Sequence, residues 1–307
     1  MLLDWPPLVE NRHLGRRRIT RERRLGLTTW DDLSNPGRAR RFFERRPLPP
    51  FHPEATEYDP DNAWWLAELS RLIYRHDVEE ARSPLTPTRA TFLARAGLAQ
   101  KAFFHAPKPG TQAYLVEPLA GPRFAALVFR GSEDLRDWIT NVRLPLEASP
   151  GLPGRVHGGF NAALSAVWPE VDAALDELDV PLFFAGHSLG AALATLAAAR
   201  RPPRGLYTFG SPRVGDAAFA EALAAQPFYR FVHERDPVAS LPPEELGYAH
   251  AGEARPLASP PGPEPKSLSA WMQRLLSPPR PLADHAPIHY VRRLAQASEP
   301  SSGGSRP

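Results

Sequence analysis

Short apolar runs alternate with longer segments whose apolar residues recur every three or four positions, from about residue 60 to residue 294. Residues 63–75 read as a helix, with Trp65, Leu69, Leu72 and Ile73 on one face and Asp61 or Asn62 as the cap. Residues 112–117 and 124–130 read as paired strands, with Gly121 and Pro122 at the turn. Residues 159–178 read as one long helix kinked at Trp168-Pro169. Three further strands are expected at 181–185, 205–209 and 228–233, with helices at 191–200 and 288–294. Strands of five or six residues separated by helices of ten to twenty argue for an α/β fold with a largely parallel sheet.

Three stretches break that rhythm. Residues 1–60 are rich in Arg and Pro and read as an irregular extension wrapped on a domain at 61–295. Residues 251–283 form a Pro-rich insertion, interrupted at 268–276, where Leu268, Trp271, Met272, Leu275 and Leu276 can share a helix face. Residues 296–307 are a polar Ser/Gly-rich tail, expected to be disordered.

Charge sharpens the view of the extension. The chain carries a net charge of +3, yet residues 1–50 hold twelve Arg and no Lys against six acids. Arg16, Arg17, Arg18, Arg21, Arg23 and Arg24 form a cluster suited to anionic lipid headgroups. A solvated arm is the plainer reading, and no nucleic-acid-binding signature accompanies the cluster. The chain contains no Cys, which excludes thiol nucleophiles, disulfides and Cys-based zinc sites. No apolar run reaches 18 residues, and the start of the chain lacks the pattern of a secretory leader. The resulting expectation is a cytoplasmic location, with peripheral contact at a membrane and an oligomeric state left open.

Chemistry concentrates at Gly186-His187-Ser188-Leu189-Gly190, between the strand at 181–185 and the Ala-rich helix at 191–200. Glycine, any residue, serine, any residue, glycine between a strand and a helix is the signature of a nucleophile presented on a sharp turn. Side chains at Gly186 and Gly190 would collide with neighbouring backbone there. A serine hydroxyl is a weak nucleophile and needs an imidazole to take its proton and a carboxylate to orient that imidazole.

Asp236 is the expected acid, because it follows the strand at 228–233 and precedes Pro237. Its rival Asp216 precedes Ala217, Ala218 and Phe219 and reads as a helix cap. Three histidines follow Asp236: His250, His285 and His289. His285 is preferred as the base, although His289 lies one helical turn on and spacing alone leaves the two open. His187 is expected to point away from the serine and to pack. The oxyanion donors are expected from the N–H of Leu189 and from Ser132, whose backbone N–H and hydroxyl follow the strand ending at Phe129-Arg130-Gly131.

Together these segments resemble the fungal-type, or class 3, triacylglycerol lipases of the α/β-hydrolase fold. The resemblance rests on Phe129-Arg130-Gly131-Ser132 with Asp137-Trp138, Val156-His157-Gly158-Gly159-Phe160, and the Gly186–Gly190 motif. It continues in Thr208-Phe209-Gly210-Ser211-Pro212-Arg213-Val214-Gly215-Asp216, Asp236-Pro237-Val238 and Asp284-His285 with Tyr290. It implies a mostly parallel central sheet flanked by helices on both faces, a Ser188–Asp236–His285 triad, and Ser132 and Leu189 at the oxyanion hole. It also implies a lid at residues 133–144, with Leu135, Trp138 and Ile139 on its apolar side.

The expected function is therefore a serine carboxylic ester hydrolase acting on acylglycerols or related lipid esters through an acyl-enzyme. No metal or cofactor is required, and the expected partner is the lipid ester substrate, with no nucleic acid. The alternatives are a phospholipase A1, a short-chain esterase, or a hydrolase fold turned into a non-catalytic binding module.

Overall fold

The computed structural model describes residues 28–77, 85–132, 144–233, 235–258 and 277–297. Its strands are β1 (Leu98–Ala106), β2 (Thr111–Pro118), β3 (Ala125–Phe129), β4 (Leu146–Ala148), β5 (Arg155–His157), β6 (Leu182–His187), β7 (Gly205–Phe209), β8 (Phe228–His233) and β9 (Glu253–Leu257). Among the described residues one seven-stranded sheet runs in the order β1-β2-β3-β6-β7-β8-β9, and β4 and β5 pair separately. The first two pairings are antiparallel, and from β3 to β9 every pairing is parallel. All carboxyl ends of the parallel strands thus lie at one edge.

Alternation along these strands divides the interior into two layers. Val128, Ala185, Phe209 and Phe231 face one layer, built on the helix Pro60–Leu72 and the last helix, Pro287–Ala297. Leu127, Phe129, Phe184 and Leu206 face the other, built on the helices Gly158–Ser165 and Leu189–Arg200. Strands β1 and β9 escape the sequence pattern because each is an edge strand. Gln100 and Lys101 in β1, and Glu253, Arg255 and Pro256 in β9, blur the apolar signal, as edges commonly do.

The helix at Pro60–Leu72 is capped by Asp59, not by Asp61 or Asn62 as expected. Pro60 lacks an N–H and its fixed φ suits the first turn, so the cap falls one residue earlier. Asp59 Oδ1 accepts the N–H groups of Asp61 and Asn62 at 2.9 and 2.8 Å. The helix is buried along its length from Asn62 to Leu72, with Glu68 and Arg71 included. The segment before it covers the face turned from the sheet. Glu68 accepts the Phe43 N–H at 3.0 Å, Arg71 donates to Glu68 and to the Arg41 carbonyl at 2.8 Å, and the Trp65 indole donates to the Pro49 carbonyl at 3.0 Å. Packing therefore crosses residue 60: Phe42, Phe43 and Phe51 belong to the same core as the sheet.

The expected long helix at 159–178 is two helices, Gly158–Ser165 and Trp168–Asp176. Pro169 opens the second helix, where its missing N–H costs nothing, instead of kinking a continuous one. The expected lid residues Leu135, Trp138 and Ile139, the segment at 268–276, the arginine cluster and residues 298–307 lie outside the described residues, whereas the last helix runs to Ala297, two residues into the tail expected to be disordered. No helix among the described residues is long and apolar enough to cross a membrane.

Phe51 offers a direct measure of how far residues before 60 hold the fold. Its ring stacks on Phe124 at 3.8 Å and meets Phe183 edge-on at 5.0 Å. Phe51→Ala should cost about 3–5 kcal/mol in urea unfolding, as expected for a core aromatic. A change near zero would show that this segment is dispensable.

Candidate active site

β6 ends at His187 and the helix Leu189–Arg200 begins two residues later, leaving Ser188 alone to turn the chain. Ser188 has φ 59° and ψ −127°, a backbone conformation that costs a non-glycine residue roughly 1–3 kcal/mol. Its N–H donates to the Phe209 carbonyl at 3.0 Å, which ties the turn to the tip of β7. A Cβ at Gly186 would strike the Gly190 carbonyl, and one at Gly190 would strike the Phe129 carbonyl. Both positions therefore need glycine. The alanines that follow, Ala191, Ala192 and Ala194, are fully buried and allow the helix to approach the sheet closely.

Asp236 and His285 come from distant parts of the chain and meet beside this turn. His285 Nδ1 lies 2.8 Å from Asp236 Oδ2. A carboxylate accepts, so Nδ1 carries the proton and Nε2 presents its lone pair. Tyr290 donates its hydroxyl to the same Oδ2 at 2.7 Å, and the Val238 N–H donates to Oδ1 at 2.9 Å. Burial pushes the Asp236 carboxyl up, but the charge of His285 and the hydrogen bonds from His285 and Tyr290 outweigh it and hold the group below the ordinary carboxylate value. Gly210, at φ 60°, lets β7 end against this cluster, since a Cβ there would press on Asp236 Oδ2, His285 Nδ1 and the Tyr290 hydroxyl. Ser188 Oγ and His285 Nε2 are both buried without a hydrogen-bond partner.

The rival residues are engaged elsewhere. Asp216 caps the helix Ala217–Ala222, accepting the N–H groups of Phe219 and Arg155 at 2.9 and 3.1 Å. His250 Nε2 is 2.7 Å from the Ala239 carbonyl. His289 Nε2 is 2.5 Å from Thr28 Oγ1, on the side of the last helix that meets residue 28. Asp236 thus selects His285 over the histidine four residues on, which spacing left open.

Leu189 opens the helix after Ser188, so its N–H is among those with no acceptor inside the helix. Ser132 is half-buried in the loop leaving β3. The preceding residues of that loop press on the turn: a Cβ at Gly131 would meet the His187 carbonyl and the Tyr74 hydroxyl. Tyr74 carries no distinguishing mark in the sequence. The three residues 208–210 at the end of β7 were part of a motif, but their contact with the acid and base is a tertiary fact.

Residues 126–246 match the family described as lipase, class 3. This segment is similar to the class 3 lipases. The chain is 39% identical over 144 residues to a lipase of Rhizomucor miehei, covering 41% of this chain and 40% of that protein. It is 40% identical over 155 residues to the secreted mono- and diacylglycerol lipase 1 of Fusarium solani, covering 47% of this chain and 46% of that one. The chain thus spans less than half the length of these curated relatives. The crystal structure of the lipase from Rhizopus microsporus var. chinensis superposes with a TM-score of 0.58 at 26% identity, covering 79% of this chain and 92% of that one. The architecture is the α/β-hydrolase fold, with helices on both faces of a mostly parallel sheet.

The class 3 relationship overturns the expected cytoplasmic location, because the Fusarium relative is named a secreted lipase. The expectation leaned on the first residues, which lie outside both the described residues and the matched segment.

Four imidazoles lowered by burial, those of His187, His233, His250 and His289, set a pH dependence. Burial, reinforced by neighbouring positive groups, lowers His187 and His250 to about 3 and His289 to about 4. Each stays neutral in the folded chain and takes up a proton on unfolding below its ordinary value of 6.5. Stability should therefore fall as pH drops from about 6.5 toward 4, by up to about 1.4 kcal/mol per pH unit for each group. Asp236 acts in the same sense but at lower pH. Its depressed value adds stability above the unfolded carboxyl range, lost only as pH falls through the folded value. Urea unfolding at pH 7, 6 and 5 measures the histidine slope, and His250→Gln should flatten it.

Proposed function

We propose that this chain is a serine carboxylic ester hydrolase acting on acylglycerols or related lipid esters, with Ser188 as nucleophile, His285 as base and Asp236 as the orienting acid. The observation that carries the reading is the paired vacancy in hydrogen bonding at Ser188 Oγ and His285 Nε2, set against an Asp236–His285 bond of 2.8 Å. A buried hydroxyl and a buried imidazole lone pair without partners are costly unless chemistry uses them.

In this reading Ser188 Oγ attacks the acyl carbonyl while His285 Nε2 takes its proton. The oxyanion that develops is met by the Leu189 N–H, at the positive end of the helix Leu189–Arg200, and by Ser132 from the β3 exit. His285 then returns the proton to the leaving alcohol, and the acyl group remains on Ser188. Water enters, His285 takes its proton, and the acid departs as Ser188 regains its hydroxyl. Asp236 stays ionised throughout, held by Tyr290 and the Val238 N–H, and stabilises the imidazolium. The acylglycerol preference is supported by the Fusarium relative, which is named a mono- and diacylglycerol lipase.

Hydrolysis of p-nitrophenyl butyrate tests the reading. Ser188→Ala should lower turnover by roughly 10⁴–10⁶-fold. Asp236→Asn should lower it by about 10⁴-fold, because the wrong imidazole tautomer would face the serine. Turnover retained in both variants would remove these residues from the reaction.

A further inference from the structure

His187 lies beneath the catalytic cluster, directly before Ser188, and the steps above do not use it. It is 3% exposed, so a polar ring has been taken fully out of water. Both of its nitrogens are occupied. Nε2 is 2.7 Å from the main-chain carbonyl of His285, and Nδ1 is 3.0 Å from the Tyr74 hydroxyl. A carbonyl only accepts, so the proton sits on Nε2. Nδ1 then has a lone pair, which accepts from Tyr74. The two hydrogen bonds permit one tautomer.

We propose that His187 is a positioning residue that fixes the backbone of His285 through its Nε2–H and holds base, nucleophile and oxyanion loop in register through Tyr74. The proposal rests on the reading of Ser188, Asp236 and His285 as the reacting triad. Four segments converge on the ring. The helix Pro60–Leu72 leads into Tyr74, β6 ends in His187 itself, the carbonyl of His285 receives the donated hydrogen bond, and Gly131 of the β3 exit packs on the Tyr74 hydroxyl and the His187 carbonyl. Asp236 fixes the imidazole of His285 from its side-chain end, but a rotation of the backbone at 285 would still carry Nε2 away from the serine. The hydrogen bond from His187 opposes that rotation.

Ring packing adds a second constraint. The His187 and His285 rings are 4.6 Å apart between centroids and tilted by 39°. A cation at His187 would oppose the imidazolium that forms on His285 during reaction. Burial, and then the neighbouring His285, push the His187 value down to about 3, so the ring stays neutral. A neutral donor is what the position requires, and a glutamine side chain offers the same N–H at the same reach.

The test compares His187→Leu, His187→Gln and Tyr74→Phe with the unaltered chain on p-nitrophenyl butyrate. It also follows the low-field proton NMR resonance of the His285 Nδ1–H bond to Asp236. His187→Leu should lower kcat about 10²-fold with KM changed less than about twofold, the pattern of a misplaced reacting group. The resonance should shift or broaden. His187→Gln should recover at least about tenfold of the lost kcat and restore the resonance. Tyr74→Phe leaves His187 Nδ1 without its donor and should lower kcat by roughly three- to tenfold, which keeps the test open if the leucine variant does not fold. Full kcat with an unmoved resonance in His187→Leu or Tyr74→Phe overturns the proposal, as does equal loss in the leucine and glutamine variants. Ser188→Ala run alongside separates the two failures. If it is inactive while His187→Leu is fully active, only the positioning role falls; if it keeps its activity, the triad reading falls and the positioning role with it.

Discussion

The turn at Ser188 is the constraint on which the site depends. One residue must carry the chain from β6 into a helix, and it does so at a positive φ that serine does not favour. That conformation persists because its surroundings leave no alternative. The Gly186 and Gly190 backbones nearly touch, the Phe129 carbonyl closes the other side, and the Ser188 N–H is fixed to β7. Relaxing the serine would move the helix Leu189–Arg200, which packs against β3, β6 and β7. The cost at one residue is thus offset by a whole helix in contact with the sheet.

Around that turn, the fold gathers polar groups that burial alone would forbid. Asp236, His187, His285 and Tyr290 are all nearly inaccessible, and each is held by at least one of the others. The network is directional. Tyr290 and Val238 leave Asp236 only one role toward His285, which is to accept its Nδ1–H. Low dielectric strengthens these bonds and makes any member left unpaired expensive. Ser188 Oγ and His285 Nε2 are among the buried atoms left without partners.

The arginines, which make up nearly all of the basic residues, have a second use in the described part of the chain. Arg71, Arg75 and Arg89 are buried and bond largely to carbonyl oxygens. Arg75 reaches the carbonyls of Pro87, Gly37 and Ala39, and Arg89 reaches Gln100 Oε1 and the Arg75 carbonyl. A guanidinium offers five donors in a fixed fork, so one side chain can close several loop carbonyls at once. These clamps hold irregular segments on either side of the helix Pro60–Leu72, where no strand pairing is available to satisfy the backbone.

The sequence by itself determined the parts whose cause is local. Short apolar runs placed β6, β7 and β8, and β2 and β3 as a pair, because each is an interior strand of a sheet covered on both faces. The glycines of the turn, the cap at Asp216 and the candidates Ser188, Asp236 and His285 were legible for the same reason: each needs a particular residue type at one backbone position. Pro169 and Pro60 show the limit of local reasoning, since a proline can kink a helix or begin one, and packing chooses. Only the tertiary structure decided which histidine meets Asp236, because His285 and His289 differ by one turn and the choice depends on where the last helix docks. It alone set Phe42, Phe43 and Phe51 in the core, where an Arg- and Pro-rich stretch hid them. It alone brought Tyr74, His187 and Gly210 to the acid and base, since contacts between residues a hundred positions apart leave no periodic trace in the chain.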